Sequence, residues 1–568
     1  MKKDEPIEVI IGNPPYSGHS ANKGKWISDL IDTYKQVDGE PLGERNPKML
    51  NDDYVKFIRF GQWRVERTGR GILAFITNHG YLDNPTFRGM RQSLMGTFTD
   101  IYLVDLHGNK NRKELSPEGG EDQNVFDIRQ GVAISIFVKE PGKVGPAKVH
   151  HIDLWGSRQG KYDWLTVEDV EKTEWIELKP SSTAYLFAPQ NMDLLAEYKQ
   201  GWSITDAMPI NSVGIVTHRD AFVFDFDEDS LRARIADFLD PARSDEYVRE
   251  KYLSSGDKLP VSVARKAVRE SMLSRSAVTY CLYRPFDTRP LFYHDAVVDR
   301  VRQNVMRHMI AGKNLGLIFM RQVALQGDYS HFEVTEGLVN NRAFYSNKGY
   351  TSLAPLYLYP TNDNLLDAAE EGRRPNLSPK FVNELSERLG LEFVPDGSGN
   401  LSSTFGPEDV FHYAYAVFHS PTYRERYAEF LKRDFPRLPL TSDRALFSAL
   451  CAKGAELVGL HLMTSPALES FITRFPEGGD SVVEKVRYSS ADERVHINNG
   501  QYFEGVPEEV WEVRVGGYQV LDKWLKDRKG RRLSSGDIRH YQRIVVALSE
   551  TRRLMREIDE TIPSWPLE

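Results

Sequence analysis

Glu8-Val9-Ile10-Ile11-Gly12-Asn13-Pro14-Pro15-Tyr16 is the stretch on which the fold turns. A short β-branched run that stops at glycine and two prolines reads as a strand ending in a loop. Its apolar residues do not alternate with polar ones, so the expectation is a strand buried on both faces of a parallel sheet. Outward from it, residues 52–67 carry helical apolar spacing and 71–78 form a second strand run. Residues 87–98 read as a helix, 101–107 as a third strand and 132–138 as a fourth. Strands alternating with helices over short connections predict a doubly wound α/β layer.

That rhythm stops near residue 150. Pro, Ser and Gly punctuate residues 179–201, which places a boundary there and divides the chain into 1–195 and 196–568. Short strands are expected at 214–217, 315–319 and 356–360, with a polar loop over 361–404. Residues 409–431 form an amphipathic helix broken at Pro421, and 537–559 another. The second region therefore reads as α+β with a helical C-terminal part. No internal repeat is evident.

Composition narrows the function classes. A chain of 568 residues suits two to four domains. Its net charge of −8 excludes a uniformly basic nucleic-acid coat but not a local basic face. Residues 522–556 supply one: eleven Lys or Arg stand against four acids. Lys526, Arg528, Lys529, Arg531 and Arg532 are its densest part and the candidate contacts to a phosphate backbone. A solvated charged helix is the plainer alternative for any one of them. Two cysteines without a CxxC exclude a disulfide framework and a thiolate zinc site, and indicate a reducing, cytoplasmic setting. No apolar run is long enough to span a bilayer, so no membrane partner is expected.

Several weaker signals resolve to structure. Asp225, Asp227 and Asp229 open like a calcium loop, but Ser230 and Ala236 stand where Gly and Glu are needed. An acidic N-cap for a helix over 231–239 is expected instead. No Gly-Lys pair is followed by Ser or Thr, so no phosphate-binding loop of the Walker type is present. His150-His151 has no partner at ligand spacing, and no metal site is expected. Phe411, Tyr415 and Phe418 lie at helical spacing and read as core.

Asn13-Pro14-Pro15-Tyr16 suits one chemistry in particular. An exocyclic aromatic amine is a poor nucleophile until its hydrogens are drawn toward tetrahedral geometry. The Asn13 side-chain carbonyl and the Pro14 backbone carbonyl are two acceptors able to do so. Proline holds that carbonyl in place, and Tyr16 offers a face for an extruded base. An ordinary Pro-Pro turn is the competing reading.

This tetrapeptide resembles the hallmark of adenine-N6 DNA methyltransferases, [DNS]-P-P-[YFW] after the fourth strand of a Rossmann-like sheet. Residues 69–78, 100–107 and 124–134 resemble the fifth-, sixth- and seventh-strand motifs in order. The remainder, carried by 283–287, 408–424 and 516–525, is similar to the specificity region of single-polypeptide Type I (Type ISP) restriction–modification enzymes. The resemblance implies the C-terminal half of a Rossmann-like methyltransferase sheet followed by a target-recognition region. It implies S-adenosylmethionine as cofactor and double-stranded DNA as partner. It also implies an upstream methyltransferase, helicase and nuclease polypeptide. By the same resemblance Asn13, Pro14, Pro15 and Tyr16 are catalytic, and Phe126 sits near the flipped base. One departure stands out: no glycine-rich cofactor turn precedes Asn13, and the cofactor-binding residues stay unassigned. Asp396-Gly397-Ser398-Gly399 would fit a permuted enzyme, against the plainer reading of a loop. The rival function is a DNA-binding specificity module, or a truncated remnant, inactive without a cofactor half from another chain.

Overall fold

The computed structural model describes residues 7–567 except 19, 44–46, 112–113, 115, 183, 272–277, 322–328, 346–348 and 361–371. The chain divides into two compact units, Met1–Leu195 and Ala196–Glu568, and its fold is mixed α/β.

The first unit is built on β1 (Val9–Gly12), β2 (Gly71–Asn78), β3 (Asp100–Asp105), β4 (Val132–Lys139), β5 (Lys148–Asp153) and β6 (Ile176–Leu178). They form one sheet in the order β1-β2-β4-β3-β5-β6. β1 and β2 pair in parallel, as do β3 and β5, whereas β4 runs antiparallel between β2 and β3. The carboxyl ends of β1, β2, β3 and β5 therefore share one edge. Helices α1 (Lys25–Asp32), α2 (Asp53–Thr68) and α3 (Arg88–Thr97) join the core. From α2 and α3, Tyr54, Val55, Ile58, Met90 and Leu94 bury one face of the sheet with Leu73, Phe75, Leu103 and Phe137. The opposite face carries a smaller cluster of Val104, Leu106, Val125 and Val132, packed by Trp164 and Leu165 of α4 (Arg158–Val167). Gly69 ends α2 with φ of +79°, a left-handed conformation that glycine adopts without a Cβ clash.

One expectation is corrected here. β1 is not buried on both faces: it is the outer strand, with Val9 61% and Ile11 80% exposed. Its apolar character matches a buried strand, but in the described residues only β2 pairs with it.

In the second unit, β7 (Ser212–Val213), β10 (Gly316–Met320), β11 (Glu333–Thr335) and β13 (Thr351–Pro355) form a four-stranded sheet. β8 (Val278–Arg284), β9 (Asp287–Phe292) and β12 (Leu338–Val339) form a three-stranded one. The helix α5 (Glu228–Leu239) and α6 (Gln303–Ile310) pack with these strands into one core. Asp227 Oδ1 accepts the Ser230 N–H at 2.8 Å and caps α5, the N-cap the acidic run suggests. The expected loop over 361–404 is corrected: its described part contains the helix α7 (Pro379–Leu389). Ser378 at the N-cap, Pro379 at the first turn and Gly390 beyond the end are the helix signals in that stretch. Residues 361–371 of that loop lie outside the described residues.

The C-terminal part is helical. α8 (Pro407–His419) stops at Ser420, and a new helix begins at Pro421, where the break is expected. α9 (Arg444–His461) and α11 (Ser535–Thr561) pack with α8. Phe411, Tyr415 and Phe418 are buried core, as their spacing predicts. Cys281 and Cys451 are both buried, free thiols. Among the described residues no helix is long and apolar enough to cross a membrane.

Candidate functional site

The Asn13–Tyr16 loop leaves β1 at the shared carboxyl edge, where open α/β sheets bind ligands. Pro14 is buried, Asn13 and Pro15 are exposed, and Tyr16 is half-buried. Tyr16 Oη donates to Asn13 Oδ1 at 2.9 Å and lies 3.1 Å from the Ile76 carbonyl of β2. The phenol thereby ties the loop to the neighbouring strand. A side-chain carbonyl has two lone pairs, so Asn13 Oδ1 retains one for a second donor. Burial pushes the Tyr16 hydroxyl up to about 12, which keeps it a neutral donor at physiological pH. The Tyr16 ring meets Tyr54 edge to face, with centroids 6.4 Å apart.

Phe126 reaches the same region from the loop before β4. It and Tyr16 both pack against the cluster of Val104, Leu106, Val125 and Val132. Asn124 shapes that loop: its Nδ2 donates to Gly108 O at 3.0 Å and Gln130 O at 2.6 Å, and its Oδ1 accepts the Phe126 N–H. Beneath it, fully buried Lys161 donates to Asp122 Oδ1, Leu106 O and Gln123 O at 2.7–2.8 Å. The Asp122 carboxylate also accepts the Gly108 and Gly156 N–H groups. With all three Lys161 N–H groups donating, this buried ion pair ties together the chain on either side of the Phe126 loop.

The alternative glycine turn at Asp396–Gly399 is a plain loop. Gly397 N–H goes to Tyr357 Oη at 2.9 Å, and Gly399 N–H goes to Asp409 Oδ2 at 2.6 Å. Its donors face the protein, so it offers no cradle for a cofactor.

The basic stretch of the second unit needs correction. Arg528 is not a surface contact: it is 7% exposed and lies between α10 (Val520–Lys526) and α11 in sequence. Its Nη2 donates to buried Asp287 Oδ1 at 2.9 Å, and its guanidinium lies 3.5 Å over the Trp524 ring. Burial would raise the Asp287 carboxyl, but Arg528 and Arg289 together hold it near 2. Lys526 is exposed and pairs with Asp522 at 2.8 Å. Along α11, Arg539 pairs with Glu469, and Arg553 with Glu550 and Glu557. Much of the stretch's charge is thus met within the unit. Lys529, Arg531 and Arg532 are exposed, with Arg531 over the Phe226 ring at 4.3 Å.

A second cationic surface, absent from the sequence reading, lies elsewhere in this unit. A groove of about 500 Å³ is lined by Arg284, Arg300, Arg302, Arg342, His218, Asn340, Asn341 and Tyr350, with Asp220 in its lining and Asp299 3.5 Å from both Arg300 and His218. Backbone bridges fix its walls: Val216 pairs with Arg300, and Ile215 with Asn340. Tyr283 Oη donates to Asp220 Oδ2 at 3.0 Å and ties that acid to β8. His218 and Arg302 are both held at φ of +54°. Non-glycine residues in that region cost energy and gather at functional surfaces. Arginine forks match phosphate oxygens, and asparagine amides match base edges. Its members come from four separated segments, so no local motif marks it.

Residues 206–557 match the family model described as the Type ISP C-terminal specificity domain. No curated protein matches the chain by sequence. The structure is similar to the ATP-dependent Type ISP restriction-modification enzyme LlaBIII bound to DNA, with a TM-score of 0.71 at 21% identity over 99% of this chain. It is also similar to a nuclease-deletion mutant of the Type ISP enzyme LlaGI in complex with a DNA substrate mimic (0.66, 20%, 97%). A third likeness is to the DrdV–DNA complex (0.69, 22%, 97%). The chain spans 37%, 44% and 57% of those three proteins respectively, and at such identities the likeness is one of fold.

Proposed function

The chain belongs to the Type ISP family through its C-terminal specificity domain, and on that footing we propose that it serves site-specific adenine-N6 methylation of double-stranded DNA in a restriction–modification system. The second unit reads the duplex, and the first presents the loop that holds the target amine. The observation that supports this is the place of the loop: Asn13–Tyr16 leaves β1 at the edge where β1, β2, β3 and β5 end together, the edge at which open α/β sheets bind ligands. Tyr16 and Phe126 on one cluster supply two aromatic groups where an extruded base would lie.

In this reading S-adenosylmethionine supplies the methyl group. Among the described residues the glycine pair in the loops at this edge, Gly119-Gly120, spends its N–H groups on Ser116, so it offers the cofactor no cradle. The chain's own part is to orient the adenine amine between Asn13 Oδ1 and the Pro14 carbonyl. A second reading, a specificity module relying on a cofactor-binding half from elsewhere, is favoured by the exposed outer edge of β1. One experiment separates them: labelled S-adenosylmethionine and duplex DNA are given to the purified chain, alone and with a cofactor-binding half. Methyl-adenine formed with the wild-type chain, alone or with the half, and lost with Asn13→Ala supports the first; formation indifferent to Asn13→Ala supports the second. DNA binding without methylation in either condition leaves the specificity role alone.

Tyr16→Phe refines the loop's role. The variant keeps its stacking face but loses the single O–H donor that Asn13 and Ile76 share, worth about 1 kcal/mol. Methyl incorporation should fall only a few-fold, whereas Tyr16→Ala, losing about 1–3 kcal/mol of stacking, should fall further. Equal losses in the two variants would remove the ring from the reading.

A further inference from the structure

The carboxyl edge of the first unit gathers a histidine–carboxylate cluster that the methyl-transfer reading does not use. His79 follows β2, Asp105 ends β3 and His107 lies two residues beyond, while Asp153 ends β5. His79 Nδ1 lies 2.9 Å from Asp105 Oδ1, and His107 Nε2 lies 2.8 Å from Asp153 Oδ1. Asp153 Oδ1 is also 3.0 Å from His151 Nε2. Each carboxylate fixes one imidazole nitrogen as the donor, so the other ring nitrogen keeps its lone pair. That arrangement orients metal-binding histidines.

Both remaining nitrogens lie near Glu114, whose Oε2 accepts the Asn109 backbone N–H at 2.9 Å, and His107 Nδ1 is also 3.8 Å from Asp105 Oδ2. His79 Nε2 is 4.0 Å from Glu114 Oε1, and His107 Nδ1 is 3.9 Å from Glu114 Oε2. The three donor atoms all lie within 4.8 Å of one another. His107 Nδ1 is buried and has no hydrogen-bond partner. An orphaned acceptor of that kind costs free energy unless something takes the lone pair. We propose that His79, His107 and Glu114 form a binding site for one divalent transition-metal ion of the zinc class.

The chemistry of the donor set fits. Two imidazoles and one carboxylate bind Zn²⁺ at about 2.0–2.2 Å with a fourth position left open. Tetrahedral geometry at that radius needs donors roughly 3.3–3.6 Å apart, so donors now within 4.8 Å of one another draw together by up to roughly 1.2–1.5 Å on binding. Asn109 Nδ2, 3.0 Å from His79 Nε2, yields its contact to the ion. The surroundings hold the ring positions. Asn78 Oδ1 accepts the Gly80 N–H at 2.8 Å and caps the turn carrying His79. A Cβ at Gly131 would stand 2.4 Å from His79 Cε1, so only glycine admits the ring. His107 stacks on Trp155 and sits at φ of +49°. Asp105, Glu114 and Asp153 also make the cluster acid-rich, which suits a cation. His150-His151, set aside in the sequence as having no ligand partner, contributes only the His151 contact to Asp153.

The site rests on the geometry of the first unit, independently of the methyl-transfer reading. Its test is a zinc titration of the chelator-stripped full chain, followed by metal analysis after dialysis. One zinc per chain is expected, with affinity at least tenfold weaker in His107→Ala and in Glu114→Gln. Glu114→Gln keeps an acceptor for the Asn109 N–H, so its fold should survive, and circular dichroism checks that it does. Cobalt in place of zinc should give the intense visible bands of a four-coordinate site, lost in both variants. Wild-type chain that retains no stoichiometric zinc overturns the proposal. So does binding unchanged in folded Glu114→Gln and His107→Ala.

Discussion

Asn13→Ala is expected to lower methyl transfer to adenine by about 10²–10³-fold with duplex affinity nearly intact, measured in the presence of the cofactor-binding half. Preorganised hydrogen-bond groups aimed at the changing charge of a reacting centre are worth about 2.7–4 kcal/mol each. Asn13 meets that description: it is exposed at the carboxyl end of β1, and Tyr16 holds its side chain with one lone pair to spare. An adenine amine has two hydrogens and the loop offers two carbonyls, so losing one leaves the nitrogen closer to planar. Alanine also removes nothing from the cationic groove, which lies in the other unit. Turnover and affinity should therefore separate. Asn13→Asp keeps an acceptor and should recover part of the loss. Full activity in Asn13→Ala would make the Pro-Pro loop an ordinary turn.

How much of this is legible in the sequence depends on how far apart the partners lie. The strands at 71–78 and 132–139 and the helix at 53–68 follow from local pattern, and the Asn13–Tyr16 loop from a motif four residues long. The burial of β1 is not legible, because the run Val9–Gly12 has the same composition at the edge of a sheet as in its centre. Arg528 misleads for a related reason. A run of basic residues reads as surface, yet its partner Asp287 is 241 positions away in sequence. His79, His107 and Glu114 are ordinary polar residues in two loops until the sheet order aligns the ends of β2 and β3. The groove arginines are likewise scattered over residues 284–342 and meet only through the backbone bridges of their segments.

Those arginines carry the second large expectation, which sets the groove against the basic stretch as the DNA-binding surface. Replacing Arg300, Arg302 and Arg342 with glutamine should reduce duplex affinity by about 10²–10³-fold near 0.1 M salt. Each phosphate contact releases counterions and contributes about 0.9 to the slope of log affinity against log salt, so three contacts should flatten it by roughly 2.7. The loss should be similar for all sequences, because phosphate contacts position the protein without reading bases. Asn341→Ala, by contrast, should leave the slope unchanged and blur the preference for one site over another. Arg528→Gln tests the opposite case. It removes one of the two guanidiniums that share the Asp287 carboxylate inside the core and leaves Arg289. Breaking a buried pair outright costs about 3–5 kcal/mol, so a loss of stability below that is expected, read as a lower denaturant midpoint, while any folded protein should keep its salt slope. Arg531→Gln and Arg532→Gln, at exposed positions, should alter stability little. If the groove triple variant binds with unchanged slope while Lys529, Arg531 and Arg532 prove necessary, the duplex lies along the basic stretch, and the groove serves another ligand.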